Sequence, residues 1–169
     1  MRRLSSLARD GKGAATVEFA ILVTCFFLTF MAVMDVGWYF ILQRKLAQAV
    51  SSAAVSAFTN RGAVSFSNIP AYIQAQSGLS SASVSVVCNG ASATACTNSS
   101  RTGACLSTGG VYTATSAVGT TCSGSSYSTG AVSGYYLTIT ATASFKAIIL
   151  PGRFFDGSTI SRTATIRLQ

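Results

Sequence analysis

The chain has 169 residues, 49% of them apolar and only 9% charged, with 12 Lys or Arg against 4 Asp or Glu and no histidine; an ordinary soluble domain is roughly 25% charged. Ser-His-Asp and Cys-His relays and the His-containing zinc sites are therefore excluded. Asp10, Glu18, Asp35 and Asp156 are the only carboxylate side chains left for acid or base work, so enzymatic activity is not expected. The length allows one modest domain with a core, or a smaller domain with something attached.

From Phe19 to Met34 the chain reads FAILVTCFFLTFMAVM, without a charge and with only Thr24 and Thr29 as polar residues. Extended from Val17 to Leu42, the apolar stretch exceeds the roughly 20 residues needed to cross a bilayer core. Trp38 and Tyr39 lie at its far end, where amphipathic rings favour the membrane–water interface. Arg2, Arg3, Arg9 and Lys12 precede the span and Arg44 and Lys45 follow it, a bias that leaves the N-terminus in the cytoplasm. Ala47-Gln48-Ala49 has the form of a signal-peptidase site but lies beyond the two basic residues, which argues against a cleaved secretory signal.

Glu18 sits one turn inside the apolar run. A carboxylate at membrane depth costs about 2.5–3.5 kcal/mol on insertion scales and usually has a partner. If the chain were cut between Gly13 and Ala14, Ala14 would carry a new ammonium and Glu18 would become the fifth residue. In a bundle of parallel helices, Glu18 of one subunit could then pair with the Ala14 ammonium of a neighbour. A subunit out of axial register would leave a charge unpaired, so Glu18 would fix stagger more than add stability. The competing reading is an uncleaved anchor whose Glu18 snorkels to the cytoplasmic interface.

A short basic leader, a Gly before the cut, a Glu at the fifth position and then an apolar helix resembles the type IV pilin and pseudopilin signature. Gly13-Ala14-Ala15-Thr16-Val17-Glu18-Phe19, the apolar run, Asp35-Val36-Gly37 and Arg44-Lys45-Leu46-Ala47-Gln48-Ala49 resemble the TadE-like family more closely, over about 45 residues. These are minor pilins or pseudopilins of the tight-adherence (Tad/Flp) pilus machinery. The resemblance implies processing by a prepilin peptidase at Gly13-Ala14, register and assembly through Glu18 and Phe19, and an acidic residue, Asp35, near the outer end of the span. Trp38 stands where many of these proteins have Arg, so interactions of that Arg do not carry over. Partners implied are other pilin or pseudopilin subunits, the pilus assembly platform and its motor, and the bacterial inner membrane. The C-terminal domain would be periplasmic and, on assembly, part of an extracellular pilus.

Beyond the span, Leu42, Leu46, Ala49, Ala53 and Ala57 share one helical face, widened by Val50, Ala54 and Phe58, which predicts a core-facing stripe on a helix from about 15 to 59. Asn60, Arg61 and Gly62 supply a stop. Ile69-Pro70 to Gln76 predicts a short helix with Pro70 in its first turn. Residues 83–88, 135–145 and 160–168 alternate as strands, separated in the last case by Pro151-Gly152 and Asp156-Gly157. Arg162 falls on the otherwise apolar face of the last strand and is expected at a sheet edge or rim.

Residues 89–130 differ: 33 of 42 positions are Ala, Gly, Ser, Thr or Asn, too little apolar surface for a core of their own. Cys88, Cys96, Cys105 and Cys122 lie there or at its edge, and outside the membrane they suggest two disulfides. Of the three connectivities, nested Cys88–Cys122 and Cys96–Cys105 would tie the loop to both flanking strands. A four-cysteine zinc site is disfavoured because no C-x-x-C pair exists, and Cys25 reads as an apolar packing residue. Tyr112 and Tyr127 make the loop a candidate contact surface or a mere decoration. Beyond Arg44-Lys45 the basic residues are scattered singly, so no nucleic-acid partner is expected, and no cofactor or metal is implied.

The expected fold is α+β: a leader at 1–13, a transmembrane helix at 14–42, its continuation at 43–60, and a β-rich domain at 61–169 with a small antiparallel sheet and the stapled loop 88–122. The expected role is structural, in assembly, priming or the tip of a Tad-type pilus. The alternative is an uncleaved single-span envelope protein presenting a carbohydrate- or surface-binding domain.

Overall fold

The computed structural model describes residues 11–91, 96–148 and 158–169. The basic leader residues Arg2, Arg3 and Arg9 and the turn signals Pro151-Gly152 and Asp156-Gly157 lie outside the described residues. The elements are α1 (Gly11–Thr59), a 3-10 turn (Phe66–Asn68), α2 (Ile69–Ser77), β1 (Ser83–Cys88), β2 (Gly103–Leu106), β3 (Tyr112–Thr115), β4 (Tyr136–Ser144) and β5 (Thr159–Arg167). The α+β class read from the sequence holds. Two compact units divide the chain: one of residues 1–40 and 146–156, the other of 41–145 and 157–169, with α1 running through both.

In the first unit α1 is almost bare. Phe19, Leu22, Phe26, Leu28 and Val33 each expose 60% or more of their surface. At 1.5 Å per residue the 49 residues of α1 span about 74 Å, and residues 13–59 form a helix long and apolar enough to cross a membrane. The two hydroxyls in the apolar run are satisfied within the helix: Thr24 donates to the Ala20 carbonyl at 2.8 Å and Thr29 to that of Cys25 at 2.9 Å. No polar group of these side chains is left to face hydrocarbon unpaired.

The second unit is built on a three-stranded antiparallel sheet in the order β1-β4-β5. Strict alternation decides its faces: Leu137, Ile139, Ala141 and Ala143 of β4 are buried, with Val86 of β1 and Ile160 of β5 on the same side. Leu46, Ala49, Val50, Ala53, Ala54 and Ala57 of α1 are buried in the same unit. The predicted core-facing stripe is therefore found from Leu46 onward; Leu42 is only half-buried and Phe58 is 52% exposed. At 100° per residue Phe58 falls at the margin of a stripe centred on Ala53 and Ala57, and its ring lies 5.9 Å from the Arg61 guanidinium instead. Helix α2, begun with Pro in its first turn and closed by Gly78 at φ +68°, adds Ile69 and Ile73 to the core.

The outer sheet face carries hydroxyls. Thr138, Thr140 and Thr142 of β4 stand opposite Thr165, Thr163 and Ser161 of β5, and Thr140 and Thr142 stand opposite Ser85 and Ser83 of β1. Thr138 pairs with Thr165 and Thr140 with Thr163, each at 3.1 Å between hydroxyls. Such cross-strand Thr pairs contribute roughly 0.2–1 kcal/mol each.

The Ser/Thr/Gly-rich segment departs from expectation in two ways. It forms an antiparallel hairpin, β2 with β3, and Ala104, Cys105 and Cys122 within it are buried. Hydrogen bonds organise it where apolar area cannot: Ala104 and Gly134 exchange backbone bonds at 2.8 and 3.0 Å, and the Ser133 hydroxyl accepts from Thr120 N and donates to the Ala117 carbonyl. The disulfides are sequential, Cys88–Cys96 and Cys105–Cys122, not nested. A turn at the end of β1 explains the correction. Asn89 and Gly90 both take positive φ, the backbones of Cys88 and Ala91 bond each other, and Cys96 returns to a Cα distance of 5.3 Å from Cys88. Cys105 on β2 then faces Cys122, whose N–H is bonded to the Ala131 carbonyl. The four-sulfur zinc set considered from the sequence is thus not assembled.

Candidate assembly site on the N-terminal helix

The residues singled out for assembly lie on α1, which is already helical at Gly11 and passes through Gly13 and Ala14 without a break. Ala14 and Glu18 are four residues apart and share a face. Both are exposed, as is Phe19. A Cβ placed on Gly13 meets nothing within 4 Å, so packing within the chain gives no reason for glycine at this position. Helix propensity argues against it, at about 1 kcal/mol relative to Ala.

Asp35 stands apart from the rest of the span, 1% exposed where its neighbours are bare. Its Oδ1 accepts the backbone N–H of Ile148 at 3.0 Å. The carboxylate therefore fixes a segment 113 residues away to the helix, within the same unit. The sequence marked Asp35 through resemblance alone, as an acidic residue near the outer end of the span, and placed it with Trp38 and Tyr39 at the interface. Its partner was invisible, because a backbone N–H has no sequence signature. Trp38 is 37% exposed and Tyr39 half-buried, its ring packed edge-on to Phe40 at 5.8 Å. Cys25 is an exposed free thiol, so it is not packed within the chain.

The stapled lobe uses its tyrosines internally. The Tyr112 and Thr138 hydroxyls are 3.0 Å apart, and the Tyr127 hydroxyl donates to that of Thr113 at 2.8 Å. Sequence reasoning missed what anchors the lobe. Asn98 makes a two-point bond to the backbone of Val64, N–H to Oδ1 and Nδ2 to C=O, both at 3.0 Å. Arg101 donates to the carbonyls of Thr97 and Arg61, and its guanidinium lies 5.0 Å from the Tyr135 ring. The buried Tyr135 hydroxyl accepts the N–H of Thr97 at 2.8 Å. Asn98, Arg101 and Tyr135 thus join the lobe to the end of α1. A hollow of 320 Å³ near that junction is lined by residues such as Ala53, Asn60, Val64, Asn68 and Tyr72, with no charged group among them. Among the described residues no group of three or more His, Cys, Asp or Glu could hold a metal ion.

Neither curated proteins nor solved structures match the chain. A family model described as TadE-like protein matches residues 13–55. The match begins at Gly13, takes in Glu18, Phe19, Asp35, Trp38 and Tyr39, and covers the buried stripe as far as Ala54; the sheet and the stapled lobe lie outside it. The likeness to TadE-like proteins is thus confined to this N-terminal segment, about a quarter of the chain.

Proposed function

We propose that the protein is a structural minor pilin or pseudopilin of a Tad/Flp-type pilus, with no catalytic role. The observation that carries the reading is the bare apolar helix with one carboxylate, Glu18, near its start, inside the segment matched by the TadE-like model. Exposed apolar side chains of this size each favour burial by roughly 1.5–3 kcal/mol, so α1 belongs in lipid or among other helices. The N-terminus lies in the cytoplasm and the sheet domain outside the inner membrane. A prepilin peptidase cuts between Gly13 and Ala14; the glycine that packing does not require serves that recognition. Glu18 pairs with the Ala14 ammonium of an adjacent subunit as helices associate laterally, and the assembly platform and motor extract the subunit.

Two measurements test this. The intact mass of membrane-extracted protein should lack residues 1–13; a native N-terminus at Met1 refutes processing. Glu18→Ala should abolish co-purification with sheared filaments while the protein stays in the membrane. An uncleaved anchor presenting a binding domain would be indifferent to that change.

A further inference from the structure

Strand β5 is an edge of the three-stranded sheet and is paired with β4 alone. The bonds from Phe145 N to Ser158 O and from Leu168 N to Tyr135 O set the phase of the ladder. Even-numbered residues of β5 bond β4, so Thr159, Ser161, Thr163, Thr165 and Arg167 direct their N–H and C=O groups away from the sheet. All five are exposed, and none of these backbone groups has a partner among the described residues. The strand is nine residues long and has no proline; its defence is the inward-pointing charge of Arg162, which disfavours an apolar or basic strand alongside it but not an acidic one.

A second observation lies on the same strand. Arg162 points to the inner face between Ile160 and Ala164, and its Nε is buried without a hydrogen-bond partner among the described residues. The unit that contains it carries Arg44, Lys45, Arg61, Arg101, Arg162 and Arg167, and not one side-chain carboxylate. A second copy of this unit brings no acid either, and pairing two β5 strands would bring their arginines together. Charge complementarity therefore argues against a second β5 strand and for an acidic strand of another protein.

We propose that β5 receives an extended, acidic strand of another protein, with a Glu or Asp set beside Arg162. Arg162 occupies a non-hydrogen-bonded position toward the open edge, where facing side chains approach most closely. The residues two before and two after the acid would lie against Ile160 and Ala164 and be apolar. Those between would extend the Ser161 and Thr163 hydroxyl face. The ligand pattern is thus apolar, polar, acidic, polar, apolar, held by strand addition. This inference is independent of the pilus reading: loss of either leaves the other standing.

The test uses the full chain in detergent micelles and three dye-labelled peptides, a Thr-rich nonapeptide with Val, Glu and Val at alternate central positions and its Gln and Lys counterparts. Anisotropy titration should show the Glu peptide binding at least about tenfold tighter than either counterpart, the expectation for a charge-assisted hydrogen bond. Bound peptide should slow amide exchange at Ser161, Thr163 and Thr165. Arg162→Met should erase the preference for Glu over Gln. Thr163→Pro should abolish binding, because it removes an outward N–H and no bond to β4. If that variant melts like unfolded chain, Arg162→Met and the exchange pattern decide alone. Equal binding of the Glu and Gln peptides overturns the proposal. So does disulfide cross-linking of Thr163→Cys copies to each other without peptide, or displacement of the peptide by phosphatidylglycerol vesicles.

Discussion

Removing the Cys105–Cys122 disulfide tests the architecture of the lobe most directly. The two cysteines are 17 residues apart, and closing such a loop restricts the unfolded chain by about 3 kcal/mol at 25 °C. The Cys88–Cys96 loop of 8 residues contributes about 2.5 kcal/mol by the same relation. At about 4 °C per kcal/mol for a domain near 100 residues, the Cys105→Ala/Cys122→Ala variant should melt about 12 °C lower and the Cys88→Ala/Cys96→Ala variant about 10 °C lower, by circular dichroism in micelles. Connectivity is read separately. In the single variant Cys122→Ala, alkylation under non-reducing conditions should label Cys105 together with the free Cys25, and mass spectrometry should still find the peptide of Cys88 joined to that of Cys96. Labelling of Cys88 with Cys105 protected would mean a nested pattern, and the account of the turn at Asn89-Gly90 would fall.

Asp35→Ala leaves the N–H of the exposed Ile148 to water in place of its acceptor, a loss of about 0.5–1.5 kcal/mol for one hydrogen bond; hydrogen exchange at Ile148 should accelerate while the sheet domain melts unchanged. Gly103→Ala would drive a Cβ into the Ala117 carbonyl, a backbone atom that has little room to yield, so the variant should lose the β2–β3 hairpin cross-peaks in NMR; Gly62→Ala, which meets open space, should be near neutral. Tyr135→Phe removes the acceptor for Thr97 N and should cost about 1 kcal/mol in denaturant unfolding.

The elements legible in the sequence were those whose period is enforced by burial on one face. Leu137, Ile139, Ala141 and Ala143 alternate because β4 is the central strand and covers the core, and Leu46, Ala49, Ala53 and Ala57 repeat because one side of α1 is sealed. The edge position expected for Arg162 also followed from a charge on an apolar face. Within the candidate site, Glu18 was legible because a carboxylate in an apolar run is conspicuous. The lobe was opaque because its order comes from backbone hydrogen bonds, from Asn89 bonding Thr102 O and Tyr136 N at 2.8 Å, and from the Asn98 and Arg101 contacts. Partners of that kind are set by three-dimensional proximity and leave no periodic trace in composition.

The hydroxyl face of β1, β4 and β5 has a consequence for how the sheet meets water. Ser and Thr hydroxyls do not ionise in water and carry no counterion atmosphere. Charged surfaces change their ionisation with acidity and are screened as salinity rises. This one keeps the same donors and acceptors throughout, and the Thr138–Thr165 and Thr140–Thr163 pairs hold them in fixed rows. Whatever the medium does to the arginines at the margin, the wetting of this face stays constant.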